Sequence, residues 1–215
     1  DGSKFEGNFL NGKRDGFGVY EFADGSRYQG SWKNDEMNGD GILNFPNGDV
    51  YEGEFKKGHR NGKGKQTYSN GSKYIGHWRN GKKNGDGYFS LPDGSNYDGN
   101  WKNSKKHGKG ILTIVNLSRY TGDWKNDLEN GFGEVVYEDG SKYKGNWKNG
   151  KRNGSGEFCY SGGNVYIGEW KNDLRHGKGL HKFIDGDKYE GNWIKGSRNG
   201  HGIQTFSDSS RYDGM

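Results

Sequence analysis

An aromatic residue followed two positions later by glycine recurs every 23 residues along the whole chain. The aromatic residues are Phe5, Tyr28, Tyr51, Tyr74, Tyr97, Tyr120, Tyr143, Tyr166, Tyr189 and Tyr212, and the glycines run in step from Gly7 to Gly214. Self-similarity at a period of about 20 to 50 residues marks a repeat array, and it constrains the fold more tightly than anything else in the chain. With 42 glycines among 215 residues and only 27% hydrophobic residues, composition alone would suggest disorder. Order reverses that reading: rings make up 15% of the chain, more than half of its hydrophobic residues, and they keep register with the repeat. A few large rings, regularly placed, bury what many small aliphatic side chains otherwise would.

Counting the recurring aromatic as position 0, position 4 is Phe9, Trp32, Phe55, Trp78, Trp101, Trp124, Trp147, Trp170 and Trp193, which uses every tryptophan. Side chains alternate along a strand, so rings at 0 and 4 and glycine at 2 share one face, where the glycine leaves room for a ring over bare backbone. Positions 11 and 13 are also glycine in every complete copy, from Gly16 and Gly18 to Gly200 and Gly202. Asn-Gly at positions 10 and 11, beginning at Asn38, Asn61, Asn84, Asn130, Asn153 and Asn199, is expected to form the first hairpin turn. A second strand follows, with Phe22, Phe45, Tyr68, Leu91, Ile114, Tyr137, Tyr160, Phe183 and Phe206 at position 17. The return turn falls at Gly25, Gly48, Gly71, Gly94 and Gly140. At Asn116-Leu117-Ser118 a leucine stands where glycine is usual, and leucine resists the left-handed conformation, so that turn must differ.

The predicted fold is all-β: an elongated single-layer antiparallel meander of tandem β-hairpins, one continuous array over residues 1–215. Nine complete repeats span 5–27, 28–50, 51–73, 74–96, 97–119, 120–142, 143–165, 166–188 and 189–211, with partial repeats at both ends, as expected of a piece of a longer array. The aromatic rows Tyr28, Trp32, Tyr51, Tyr74, Trp78, Tyr97, Trp101, Tyr120, Trp124, Tyr143, Trp147, Tyr166, Trp170, Tyr189 and Trp193 are read as its core, with a ligand groove as the sharper alternative.

The string Tyr143-Lys144-Gly145-Asn146-Trp147-Lys148-Asn149-Gly150, followed by Gly154 and Gly156, resembles the MORN repeat, the membrane occupation and recognition nexus motif. The resemblance covers essentially the whole chain and is specific for fold more than for function. It is greatest to the all-MORN proteins of apicomplexan and kinetoplastid parasites, which implies a cytoskeletal scaffold serving cell division or budding.

No constellation of residues suggests catalysis. The six histidines fall at scattered repeat positions, and the Gly-x-Gly strings lack the following helix that would hold a phosphate. The expectation is a non-catalytic scaffold without cofactor, homodimerising through C-terminal repeats whose open edge carries Tyr189, Trp193, Phe206 and Tyr212. Its partners would be itself and cytoskeletal proteins. The alternative is a peripheral membrane module gripping anionic phospholipids such as phosphoinositides through basic turns at Lys82, Lys83, Lys105, Lys106, Lys151 and Arg152. A third reading makes the array the targeting part of an enzyme whose catalytic domain lies elsewhere. Nucleic acid is not an expected partner, since 28 acidic residues are interspersed among 33 basic ones. Cys159 with His176 or His181 is a weak candidate for zinc at an intermolecular site, because positions 15 and 16 should face opposite ways. A single cysteine and the lack of an apolar run of about 20 residues point to the cytoplasm, at the cytoskeleton or the inner face of a membrane.

Overall fold

The computed structural model describes residues 2–215, and no helix occurs among them. The chain divides into two compact units, Asp1–Lys106 and His107–Met215. The first holds β1 (Lys4–Leu10), β2 (Lys13–Glu21), β3 (Arg27–Lys33), β4 (Glu36–Asn44), β5 (Val50–Lys56), β6 (His59–Thr67), β7 (Lys73–Arg79), β8 (Lys82–Ser90) and β9 (Asn96–Lys102). β10 (Lys105–Ile114) begins at the division, and the second unit continues with β11 (Ser118–Lys125), β12 (Leu128–Tyr137), β13 (Lys142–Lys148), β14 (Lys151–Cys159), β15 (Val165–Lys171), β16 (Leu174–Lys182), β17 (Lys188–Ile194), β18 (Ser197–Thr205) and β19 (Arg211–Gly214). Within each unit every strand pairs antiparallel with the next in sequence, the expected meander of hairpins.

The repeat of β13 and β14 illustrates the register. Tyr143 faces Phe158, Gly145 faces Gly156, and Trp147 faces Arg152. On its other side β14 sets Phe158 against Tyr166 and Gly156 against Gly168. The side chain facing each position-0 ring is therefore position 15: Leu43 for Tyr28, Gln66 for Tyr51, Phe89 for Tyr74, Val135 for Tyr120 and His181 for Tyr166. Position 17 lies past the strand end, where Phe22, Tyr68, Tyr160 and Phe183 are half-buried and Phe206 is exposed.

The first hairpin turn corrects the sequence reading. It falls four residues earlier, at positions 6 and 7, where Asn149 and Gly150 have φ of 52° and 77° and join Lys148 directly to Lys151. Positive φ at both central residues matches the strand twist of a two-residue hairpin. Asn153-Gly154, expected to be that turn, lies inside β14. There Gly154 takes φ of 93° and the register shifts between Gly145 and Trp147. Such a bulge bends the strand and increases its twist. The side chain at position 3 serves the bulge: Lys63 N–H donates to Glu54 Oε1 at 2.8 Å, and Phe132 N–H donates to Asp123 Oδ2 at 3.0 Å.

The return turn is where the sequence places it. Gly25, Gly48, Gly71, Gly94 and Gly140 all have positive φ. In the first of them Gly25 N–H donates to Phe22 O at 3.0 Å and Ser26 N–H to Asp24 Oδ1 at 2.8 Å. At the leucine variant the left-handed conformation moves to Asn116, with φ of 54°, and three residues connect Ile114 to Ser118.

Candidate functional site

The ring at position 0 is the fixed point of each repeat. Tyr143 is fully buried and lies along its own hairpin, with its hydroxyl donating to Asn146 O at 3.0 Å. Tyr28, Tyr51, Tyr74, Tyr97, Tyr120 and Tyr166 repeat this bond. The ring passes over Gly145 and Gly156, where an added Cβ would come within 2.5 Å of ring or hydroxyl atoms. Burial raises the phenol pKa throughout the row, to about 12 for Tyr28 and Tyr166.

Each tyrosine also stands edge-on between two position-4 rings. Tyr143 lies 5.2 Å from Trp147 of its own repeat and 5.3 Å from Trp170 of the next, the T-shaped geometry that aromatic quadrupoles favour. Trp170 Nε1 then donates to Gly156 O at 3.2 Å, so one indole ties two hairpins together. The same bond recurs from Trp32 to Gly18, from Trp101 to Gly87 and from Trp193 to Gly179. These rows are core, and the ligand-groove alternative finds its rings already packed.

A cation at position 9 closes the row. The Arg152 guanidinium sits 4.5 Å from the Trp170 ring centroid and donates from Nη2 to Asp173 O at 3.1 Å. Arg14 over Trp32, Arg60 over Trp78 and Arg175 over Trp193 stand at 4.4, 4.4 and 4.1 Å, each with a bond to a carbonyl of the next turn. Lys83 lies 4.8 Å from Trp101. Desolvated contacts of this kind contribute up to about 2 kcal/mol. The Trp-Lys-Asn-Asp turns join in, because Asp35 and Asp173 accept from Arg14 and Arg152 Nε at 3.2 Å. Arginine bonding to Asp35 holds that carboxyl below the usual carboxylate range.

This arrangement corrects the basic patch. Lys82, Lys105 and Lys151 are exposed, whereas Lys83, Lys106 and Arg152 are one residue further along and turn onto the aromatic face. The cations remaining outside are pairs across the turn mouth, Arg79 opposite Lys82 and Lys148 opposite Lys151. Of the residues assigned to the dimer edge, Tyr189 and Trp193 are buried in the core, while Phe206 and Tyr212 are 41% and 58% exposed. Cys159 Sγ lies 3.4 Å from Glu157 Oε1 on one face, and His181 stacks on Phe183 at 4.4 Å on the other. His181 takes the place of Gln66 and Gln204 as partner of the position-9 arginine; burial and the nearby Arg175 and Arg198 lower its pKa. His176 faces Glu169 across β15 and β16, and among the described residues no three His, Cys, Asp or Glu side chains group as metal ligands.

Sequence reasoning missed positions 9 and 15. A signal for position 9 was available: six of the seven tryptophans follow an arginine or lysine by 18 residues. Position 15 had none, being in turn Tyr20, Leu43, Gln66, Phe89, Leu112, Val135, Phe158, His181 and Gln204.

The MORN repeat family model matches nine times, at residues 5–27, 28–50, 51–73, 74–96, 97–119, 120–142, 143–165, 166–188 and 189–211. The chain belongs to the MORN-repeat family. MORN repeats are in general non-catalytic binding modules, and a repeat-based binding or scaffold role follows for this array. No curated protein matches the chain. Among solved structures it is similar to the TCP10 domain of Danio rerio CPAP, at 15% identity and a TM-score of 0.47, covering 90% of this chain and 91% of that one. It also matches the SAS-4 (dCPAP) TCP domain of Drosophila melanogaster, in complex with a proline-rich motif of Ana2, at 13% identity and a TM-score of 0.29, covering 99% and 90%. A streptogramin B lyase follows at 10% identity and a TM-score of 0.21, covering 99% and 87%. None of these likenesses bears on what the MORN array binds. No helix among the described residues is long and apolar enough to cross a membrane.

Proposed function

We propose that this MORN array is a non-catalytic scaffold that homodimerises through its C-terminal repeats and organises cytoskeletal assemblies in the cytoplasm, in processes such as cell division or budding. The observation that carries the self-association is the surface of the last hairpin. β19 pairs with β18, and Phe206 and Tyr212 expose large rings beside it. An unblocked strand edge recruits another strand, and two copies doing so about a twofold axis make a closed contact. The buried tyrosine and tryptophan rows support the non-catalytic part, since the polar atoms on that face are engaged in holding hairpins together.

Light scattering coupled to size exclusion tests this reading. The chain should elute with twice its mass of 24.1 kDa, and a Phe206→Asp, Tyr212→Asp variant should return to a single mass with unchanged circular dichroism. A parent chain that stays monomeric at high concentration would refute dimerisation. One observation favours the membrane reading as a second: Arg79 opposite Lys82 and Lys148 opposite Lys151 are exposed like charges, an arrangement that weakens a sheet. Flotation with phosphatidylserine vesicles in the same samples separates the two readings.

A further inference from the structure

One junction breaks the rule that joins position 9 to the next tryptophan. Trp147 follows Glu129, where Trp32, Trp78, Trp101, Trp124, Trp170 and Trp193 follow Arg14, Arg60, Lys83, Lys106, Arg152 and Arg175. The other exception, Met37, comes with a compensating change, because the ring after it is Phe55. Trp147 has kept its indole and lost its cation.

The backbone of this junction is regular. Gly150 N–H donates to Glu129 O at 2.9 Å, as Asp173 N–H does to Arg152 O and Gly196 N–H to Arg175 O. Trp147 Nε1 donates to Gly133 O at 3.2 Å, and its ring stands 5.3 Å from Tyr120. Only the side chain differs. The Glu129 carboxylate lies against the Asn149-Gly150 turn, where an added Cβ on Gly150 would be 3.5 Å from Glu129 Oε2. It forms no hydrogen bond or ion pair among the described residues, and no described cation lies over Trp147, which at 9% is the most exposed tryptophan in the core.

We infer that Glu129, Trp147 and the Gly150 carbonyl form a receptor for an arginine side chain supplied by a partner protein. The template is internal to the molecule. At Arg60 and Arg175 a guanidinium lies on the indole and bonds to the carbonyl of the following turn, Gly81 O or Gly196 O. Gly150 O is the equivalent carbonyl here. A carboxylate in place of the arginine cannot donate to that oxygen, and it supplies the charge that pairs with a guanidinium from outside. Lysine would meet the charge without the planar donors that reach carboxylate and carbonyl together. The inference rests on the scaffold reading only for the source of the arginine.

The test is a titration with acetyl-arginine-amide, followed by the seven indole N–H resonances in heteronuclear NMR. The Trp147 resonance should move saturably in the millimolar range while the other six hold still, and acetyl-lysine-amide should bind several-fold more weakly. Glu129→Gln should weaken the response roughly tenfold. Glu129→Arg should abolish it by placing the guanidinium in cis, with the remaining indole resonances unmoved as a check of the fold. A Trp147 resonance that does not respond, an equal response in Glu129→Arg, or a stronger response to the lysine probe would overturn the assignment. None of these results depends on whether the protein dimerises.

Discussion

Gly156→Ala is expected to destabilise the protein by about 3–5 kcal/mol, more than the usual cost of overpacking, because nothing around it can move. The new methyl group would sit 2.5 Å from Cε2 and Cζ of Tyr143, a ring held by its bond to Asn146 O and by Trp147 and Trp170 on either edge. Moving that ring breaks the contact between two hairpins, and in a repeat array each hairpin depends on its neighbours. Gly162→Ala is the matched control: nothing lies within 4 Å of its added Cβ, and its φ is ordinary. It should stay within about 0.5 kcal/mol of the parent or gain slightly from a stiffer unfolded chain. Urea unfolding followed by tryptophan fluorescence measures both. A Gly156→Ala midpoint close to that of Gly162→Ala would mean that the ring does not rest on the glycine crossing.

Trp170→Ala should cost a similar amount, about 3–5 kcal/mol, the range for removing a large buried ring. Four contacts go with it: the edges of Tyr143 and Tyr166, the bond to Gly156 O and the surface on which Arg152 lies. Trp170→Phe should cost much less, about 1–2 kcal/mol, because position 4 already accepts phenylalanine at Phe55, which is buried between Tyr28 and Tyr51. The informative quantity is the ratio between the two variants in thermal or urea unfolding. If phenylalanine cost as much as alanine, the cation contact and the indole bond would outweigh ring packing, contrary to the geometry of the row.

Much of this fold was legible in the sequence because its constraints are steric and periodic. Tyr143, Gly145 and Gly156 must keep their identities for a ring to lie on bare backbone, so the 23-residue beat exposes them directly. The first turn was misread because Asn149-Gly150 and Asn153-Gly154 carry the same two residues, four positions apart, and both glycines take positive φ. One closes a hairpin and the other bulges a strand; only the pairing register tells them apart. Arg152 was read as a solvated turn residue beside Lys151, since nothing local to the sequence reveals that one faces water and the other an indole 18 residues ahead. Position 15 escaped altogether because its neighbours tolerate different chemistry: Gln66 accepts from Arg60, His181 contacts Arg175, and Val135 simply fills space.

The locking of each hairpin to the next through a cation on its tryptophan can be put to the proof at the one junction that lacks the cation. Glu129→Arg should raise stability by about 1–2 kcal/mol, from a guanidinium on Trp147 and a bond to Gly150 O, seen as a higher urea midpoint with an unchanged slope. A midpoint equal to or below that of the parent would contradict it.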